Sequence, residues 1–251
     1  MTDLEYLADA FVLIGHSAEE DPSAVDALRA FEVMHQTKLP AALFEFYSQK
    51  NITHLFRKYS NTDQLIPINE LGWFETLNRH HDLLVFIIEN QGVCFWALQL
   101  DGSDDPAVFV RYDEPDEKWR KCTDKFSEFL LMWFLEFLPF VNKWFSASYS
   151  GDIDTTFLIE ELAPRYKHVM SRPRFPRADS DSVEYSFWST NVKQIYVWVN
   201  ARTTLIRFYG SAESEFSQIL RECSELLKLE LPTLVRPLRN GHQITWVFSR
   251  A

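Results

Sequence analysis

Apolar residues recur every three or four positions over much of the first fifty residues, which is the spacing of amphipathic helices. Asp21 and Pro22 stand where a capping side chain and a first-turn proline open a helix, and the periodic pattern continues to Met34. Leu39-Pro40 interrupts the pattern and begins a second periodic segment that ends near Asn51. The amino-terminal part of the chain is therefore predicted to be helical.

Short runs rich in β-branched and aromatic residues follow, and each is bounded by turn residues. They predict strands at 65–68, 83–88, 93–98 and 108–110. Between the second and third of these runs, Asn90 and Gly92 stand where a tight turn tolerates positive φ. The two flanking strands are therefore predicted to form a hairpin.

The most apolar segment of the chain is 126–145, with the sequence FSEFLLMWFLEFLPFVNKWF. It predicts a helix over 123–138, with Thr123 as the capping residue. Glu136 and Pro139 interrupt the apolar run well before the roughly 20 residues that a bilayer requires. The segment therefore indicates a helix covered on several sides in a globular protein, not a membrane span.

A second, smaller α+β unit is predicted after residue 150. Its helices are expected at 155–163 and 212–227, and its strands at 166–170, 195–199, 205–209 and 243–248. We therefore expect two domains, at 1–150 and 151–251.

Composition favours a globular cytoplasmic protein. Hydrophobic residues make up 46% and aromatic residues 15% of the 251 positions, which is enough to bury a large core. Cys94, Cys122 and Cys223 are odd in number and far apart, so neither a disulfide framework nor a cysteine zinc site is expected. The acidic start of the chain lacks the basic region of a signal peptide.

The net charge of −11 is concentrated in the first part of the chain. Residues 1–150 carry 12 Lys and Arg against 24 Asp and Glu, whereas residues 151–251 carry 13 against 12. Such a surface repels nucleic acid and anionic membranes and attracts a basic protein. No nucleic-acid or membrane partner is therefore expected.

Seven of these carboxylates flank the strand predicted at 108–110, and a tryptophan follows them within a charged stretch. We consider this segment the candidate partner-binding surface, with a solvated loop as the alternative. Calcium is disfavoured, because the twelve-residue register of an EF-hand is absent. The candidate residues are Asp101, Asp104, Asp105, Asp113, Glu114, Asp116, Glu117 and Trp119.

Catalytic motifs are absent from the sequence. The seven glycines are scattered and form no phosphate-binding loop, and no G-x-S-x-G or H-E-x-x-H motif occurs. His80 and His81, followed by Asp82, form the densest polar group, but adjacent residues of a strand point to opposite faces. We therefore expect no catalytic residue, no metal and no cofactor.

Several motifs occur in the order that is typical of the SUKH superfamily, the Smi/Knr-type domains. They are LPAALFEFYSQKN at 39–51, LLVFIIENQGVCFWALQL at 83–100, Asp105-Pro106 before the strand at 107–111, Trp119, and FSEFLLMWF from 126. The chain resembles this superfamily over about residues 24–140, whereas residues 141–251 form an extension without a recognised relative.

The resemblance implies an α+β fold, with a curved mixed sheet flanked by helices, followed by the smaller α+β extension. It also implies a bacterial immunity protein that binds a cognate toxin and covers its active site. Two alternatives remain open: a scaffold that assembles other proteins, and a hydrolase that uses His80, His81 and nearby carboxylates.

Overall fold

A computed structural model describes most of the amino-terminal part of the chain and selected segments of the remainder. The described residues are 4–60, 63–71, 82–113, 118–141, 145–150, 155–171, 184–189, 195–200, 205–210, 212–227 and 245–247. The chain divides into two compact units, Met1–Phe137 and Leu138–Ala251. The boundary falls within the apolar helix that follows the acidic segment.

Among the described residues, four helices precede the sheet of the first unit and a longer one follows it. They are α1 (Glu5–Leu13), α2 (Pro22–His35), α3 (Ala41–Tyr47), α4 (Ile52–Lys58) and α5 (Phe126–Val141). The helix predicted after Asp21 is confirmed, because the Asp21 carboxylate accepts a hydrogen bond of 2.9 Å from the backbone N–H of Ser23. Asn51, at φ +60°, separates α3 from α4, a helix that the hydrophobic pattern did not predict.

In the described part of the first unit, five strands form one antiparallel sheet in chain order. They are β1 (Gln64–Leu65), β2 (Leu83–Ile88), β3 (Cys94–Gln99), β4 (Val108–Tyr112) and β5 (Arg120–Thr123). The predicted hairpin is confirmed, since β2 pairs with β3 and Gly92 has a φ of +73° in the turn between them. β5 was not predicted, because the sequence RKCT lacks an alternating apolar pattern.

An aromatic cluster joins these helices to the sheet. The ring of Phe46 on α3 packs edge-on against Phe126 of α5, with ring centres 5.9 Å apart. Trp133, further along α5, contacts Trp96 of β3 at 5.3 Å and Phe56 of α4 at 5.1 Å. All five side chains are fully buried. The apolar segment at 126–138 is therefore a core helix of the first unit.

The second unit contains two helices and a six-stranded sheet among its described residues. The helices are α6 (Thr155–Leu162) and α7 (Glu213–Leu227). The strands are β6 (Phe145–Ser150), β7 (Lys167–Ser171), β8 (Glu184–Ser189), β9 (Ile195–Asn200), β10 (Leu205–Gly210) and β11 (Thr245–Val247), in the spatial order β11-β6-β10-β9-β8-β7. β11 pairs parallel to β6, and the other neighbours pair antiparallel.

The α+β class expected from the sequence is confirmed in both units. In the first unit the sheet pairs antiparallel throughout, and the mixed pairing lies in the second unit. Within the described part of the chain, no helix has the length and hydrophobicity needed to cross a membrane.

Candidate functional site

The acidic segment begins with a short loop, residues 101–105, which we call the aspartate loop. The Asp101 carboxylate accepts a 2.9 Å hydrogen bond from the backbone N–H of Ser103, and the Ser103 hydroxyl accepts one of 3.2 Å from the N–H of Asp105. Gly102 supplies the positive φ of +84° that the turn requires. These local bonds fix the backbone and leave the side chains of Asp101 and Asp104 exposed.

The aspartate loop also caps two helices. The backbone carbonyl of Asp104 accepts a 2.9 Å hydrogen bond from the N–H of Ala42, in the first turn of α3. The Asp105 carboxylate accepts one of 2.9 Å from the N–H of Ser127, in the first turn of α5, and a second from the Ser127 hydroxyl. Both N–H groups lack partners within their own helices, so the loop supplies acceptors that the helices need.

Asp105 therefore has a structural role that its position in the sequence did not suggest. We predicted Thr123 as the cap of α5, but Thr123 ends β5 and its hydroxyl donates to the carbonyl of Lys125. The capping carboxylate comes instead from a residue 22 positions earlier in the chain. A cap supplied from such a distance leaves no local signal at the start of the helix.

The acidic residues after β4 lie at the other end of that strand. Asp113 is exposed, and its backbone N–H donates a 2.9 Å hydrogen bond to the carbonyl of Val93. A five-residue strand at about 3.3 Å per residue separates it from the aspartate loop by roughly 16 Å. Glu114, Asp116 and Glu117 lie outside the described residues. Asp101 and Asp104 thus lie at one end of β4 and Asp113 at the other, on either side of the strand as the sequence suggested.

Trp119 lies just before β5 and is half-buried. Its indole N–H is buried and has no hydrogen-bond partner among the described residues, and the same holds for Nε of Arg111. Val110 pairs with Arg120 across β4 and β5, so the next position in this register sets Arg111 opposite Trp119. Two donors that lack acceptors among the described residues therefore lie near the end of β4 that carries Asp113.

The start of α5 concentrates negative charge around one partly buried carboxyl group, that of Glu128. Burial is the main cause that raises its pKa to about 7, and the negative charge of Asp124 adds to the effect. The Asp105 carboxylate contributes in the same direction. The helix start thus holds a carboxylic acid that carries its proton under mildly acidic conditions.

A surface groove of about 450 Å³ is lined by residues between 18 and 49. The groove is lined by residues of α2 and α3, of the segment before α2 and of the segment after α3. Ala41, which precedes Ala42 in the first turn of α3, belongs to its lining and links it to the loop. The sequence did not predict this groove, because its residues come from separate parts of positions 18–49.

The chemistry of the described residues offers binding groups and no assembled metal site. No three His, Cys, Asp or Glu side chains come together there as metal ligands would. His80 and His81 lie outside the described residues, and Asp82, just before β2, has a φ of +49°. Exposed carboxylates and a half-buried indole are groups that can contact a protein partner.

Comparison with known proteins gives one finding for the first unit. Residues 22–132 match the sequence model of the SMI1 / KNR4 family (SUKH-1). This range runs from the start of α2 into α5 and includes the whole five-stranded sheet. No curated protein and no solved structure matches the chain.

Proposed function

Because residues 22–132 form a domain of the SMI1 / KNR4 family (SUKH-1), we propose that this chain is an immunity protein that neutralises a cognate bacterial toxin. Domains of this family are of the immunity-protein type and are typically not enzymes. In the proposed mechanism the chain binds the toxin in the cytoplasm and covers its active site. Neutralisation then depends on the affinity for the toxin and on how completely its active site is covered. It requires no chemical reaction by the immunity protein.

The observation that carries the proposal is the match of this domain to an immunity-type family, combined with its strong acidity. The negative charge of the chain resides within residues 1–150, which contain 24 of the 36 Asp and Glu. A surface of this kind favours a basic protein as the partner and disfavours nucleic acid. Many toxins that act on nucleic acid must themselves be basic to bind it.

We assign the first contact to the exposed carboxylates at the two ends of β4. Asp101 and Asp104 lie before the strand and Asp113 after it, and Glu114, Asp116 and Glu117 follow in the sequence. Long-range attraction by such groups acts mainly on the association rate. The half-buried ring of Trp119 then provides an aromatic group of the kind that dominates binding energy at interface centres.

Asp105 has a different part in the proposed interface. Its carboxylate is engaged with Ser127 at the start of α5 and is only partly exposed. It therefore holds the aspartate loop in position, and its neighbours make the contact. Variants that test binding should leave Asp105 unchanged, since its loss would also weaken the fold.

The proposal is tested with the protein encoded by the gene adjacent to this one. The full chain and the neighbouring gene's product, which is the candidate toxin, are purified separately and mixed in equal amounts. The mixture is then examined for a stable complex and for loss of the candidate toxin's activity. We expect a stoichiometric complex and full inhibition at equal concentrations. A complex that leaves the toxin fully active would support a scaffold instead, and absence of a complex at about 10 μM would contradict the proposal, because immunity requires tighter binding.

A further inference from the structure

The groove between α2 and α3 contains more negative groups than its own cations neutralise. Glu32 is already engaged: one carboxylate oxygen pairs with Arg29 at 2.9 Å, and the other accepts a 2.9 Å bond from the N–H of Leu39. Arg29 also stacks over the ring of Phe44, at 4.4 Å from its centre. This part of the groove is therefore satisfied internally.

Two other carboxylates of the groove, those of Glu20 and Glu45, have no ion pair or hydrogen-bond donor among the described residues. Lys38 also lines the groove but lies beyond ion-pair distance of both. Partial desolvation, and then the negative charge of Glu20, raise the pKa of Glu45 above its ordinary value. The groove thus presents two carboxylates that lack a cation within the described part of the chain.

Gln49 supplies an independent sign of a missing ligand. Its side chain is 4% exposed and its amide nitrogen donates a 3.0 Å hydrogen bond to the carbonyl of Glu45. Its amide oxygen is buried and accepts nothing from the described residues. A buried acceptor left unsatisfied destabilises the folded state, so native proteins rarely keep one without a role.

Backbone hydrogen bonds join the two segments that carry Glu20 and Gln49. Glu20 and Gln49 pair as an antiparallel bridge. The N–H of Asp21 donates to the carbonyl of Ser48 at 2.7 Å, and the N–H of Lys50 donates to the carbonyl of Glu19 at 2.8 Å. A ligand therefore has to order the side chains of the groove but not the backbone of these two segments.

We propose that this groove is a binding subsite for an arginine side chain of the protein partner. A guanidinium group remains charged at all relevant pH values and carries five donors in one plane. It can donate to the carboxylates of Glu20 and Glu45, and Gln49, which lines the same groove, has an amide oxygen that accepts no hydrogen bond from the described residues. The proposal rests on the proposed function only in assigning this arginine to the toxin.

Exposed apolar residues on α2 favour an arginine that is presented by a protein. Val33 and Met34 follow Glu32 on α2 and are 79% and 76% exposed. The aspartate loop contacts the first turn of α3, through the hydrogen bond from Ala42 to Asp104. A metal ion is disfavoured, because no group of three metal-ligating side chains occurs among the described residues.

The test uses a small arginine compound, so that it does not depend on the toxin. Nα-acetyl-arginine methylamide is titrated into the isotope-labelled full chain, and amide shifts are followed by NMR. The citrulline analogue has the same shape without the charge, and the lysine analogue carries the charge without the planar donors. We expect shifts at Glu45 and at the side-chain amide of Gln49, with the arginine compound binding at least about fivefold more tightly than either analogue.

Variants separate the subsite from general charge attraction. Glu45→Gln is expected to weaken binding of the arginine compound by at least about fivefold, and Glu20→Gln provides an exposed second variant if the first fails to fold. Asp26→Asn, on the exposed side of α2 and outside the groove lining, serves as the matched control and should bind as the wild type does.

Three outcomes would overturn the inference: equal binding of arginine and citrulline compounds, tighter binding of the lysine compound, or equal weakening by Asp26→Asn. Absence of any shift at about 50 mM of the arginine compound would do the same. None of these results bears on whether the chain binds a toxin, because the toxin takes no part in the titration. Conversely, failure to bind the toxin would leave a positive titration intact.

Discussion

Replacement of Asp105 by alanine should destabilise the first unit, although this residue belongs to an acidic loop at the surface. The substitution removes the acceptor for the backbone N–H of Ser127 and for its hydroxyl. Both groups are buried at the start of α5, where Ser127 itself has no exposed surface. The N–H is one of the first-turn donors that the helix cannot satisfy internally.

The magnitude follows from the bonds lost. Loss of a capping side chain costs about 0.5 to 2 kcal/mol, and hydrogen bonds to a charged group contribute about 1.5 to 3 kcal/mol. Relief of the repulsion between Asp105 and Glu128 offsets part of this cost, since the Asp105 charge helps to raise the pKa of Glu128. From these ranges we expect Asp105→Ala to lower the free energy of unfolding by about 1.5 to 2.5 kcal/mol.

Two measurements check this value in the full chain. Equilibrium unfolding in urea, followed by circular dichroism at pH 7, gives the change in stability. Amide hydrogen exchange gives the local effect, since the N–H of Ser127 should exchange at least about tenfold faster in the variant. Asp105→Asn should lose less stability than Asp105→Ala, because the amide oxygen of asparagine can still accept a hydrogen bond from the backbone N–H of Ser127.

Asp113→Ala is the matched control, because Asp113 lies at the opposite end of β4 with an exposed side chain. Its effect should stay within about 0.5 kcal/mol. Equal stability of the Asp105→Ala variant and the wild type, or an equal loss in both alanine variants, would refute the assignment of Asp105 as a helix cap.

Two further predictions concern stability. Because the folded pKa of Glu128, about 7, exceeds its ordinary value of 4.5, the folded state holds the proton and stability falls as pH rises from about 4.5 to about 7. In the wild type, the Glu128 carboxyl group should lower the free energy of unfolding by about 1 to 2 kcal/mol between pH 5 and pH 8, a value reduced to allow for its partial exposure. Urea unfolding at the two pH values should show that this loss is absent from the Glu128→Gln variant. Gly210→Ala should destabilise the second unit by about 1 to 3 kcal/mol, because an added Cβ would stand 2.8 Å from Cβ of Phe216 and 2.9 Å from its Cα. Thermal unfolding tests this effect, and an unchanged melting temperature would contradict it.

Sequence patterns were sufficient to predict the helices and strands whose buried apolar residues and turn residues are contiguous in the sequence. The hairpin of β2 and β3 and the core helix α5 were recognised because their apolar residues and turn residues are adjacent in sequence. β6 was missed although its sequence, FSASYS, alternates in the way a strand does. β5 carried no such pattern, so its pairing with β4 could be found only from the fold.

The candidate site was predictable as a charged segment but not as an arrangement. Composition located the acidic residues 101–117, yet it could not distinguish exposed Asp101 and Asp104 from Asp105, which caps a helix distant in sequence. The groove was missed for the same reason. Glu45 and Gln49 are four residues apart, but Glu20 reaches them only through a backbone bridge between distant segments.

The most direct test of the account is the association rate with the neighbouring gene's product, measured by stopped flow from about 0.05 to 0.5 M salt. The triple variant Asp101→Asn, Asp104→Asn, Asp113→Asn is compared with Glu160→Gln, Glu161→Gln, Glu225→Gln, which removes the same number of negative charges from the surface of the second unit. We expect the first triple variant to associate about tenfold more slowly than the wild type at low salt, with the difference vanishing at high salt. The second should change the rate less than about twofold. Equal rates in the two triple variants, or a rate independent of salt, would contradict capture of a basic toxin by the acidic ends of β4.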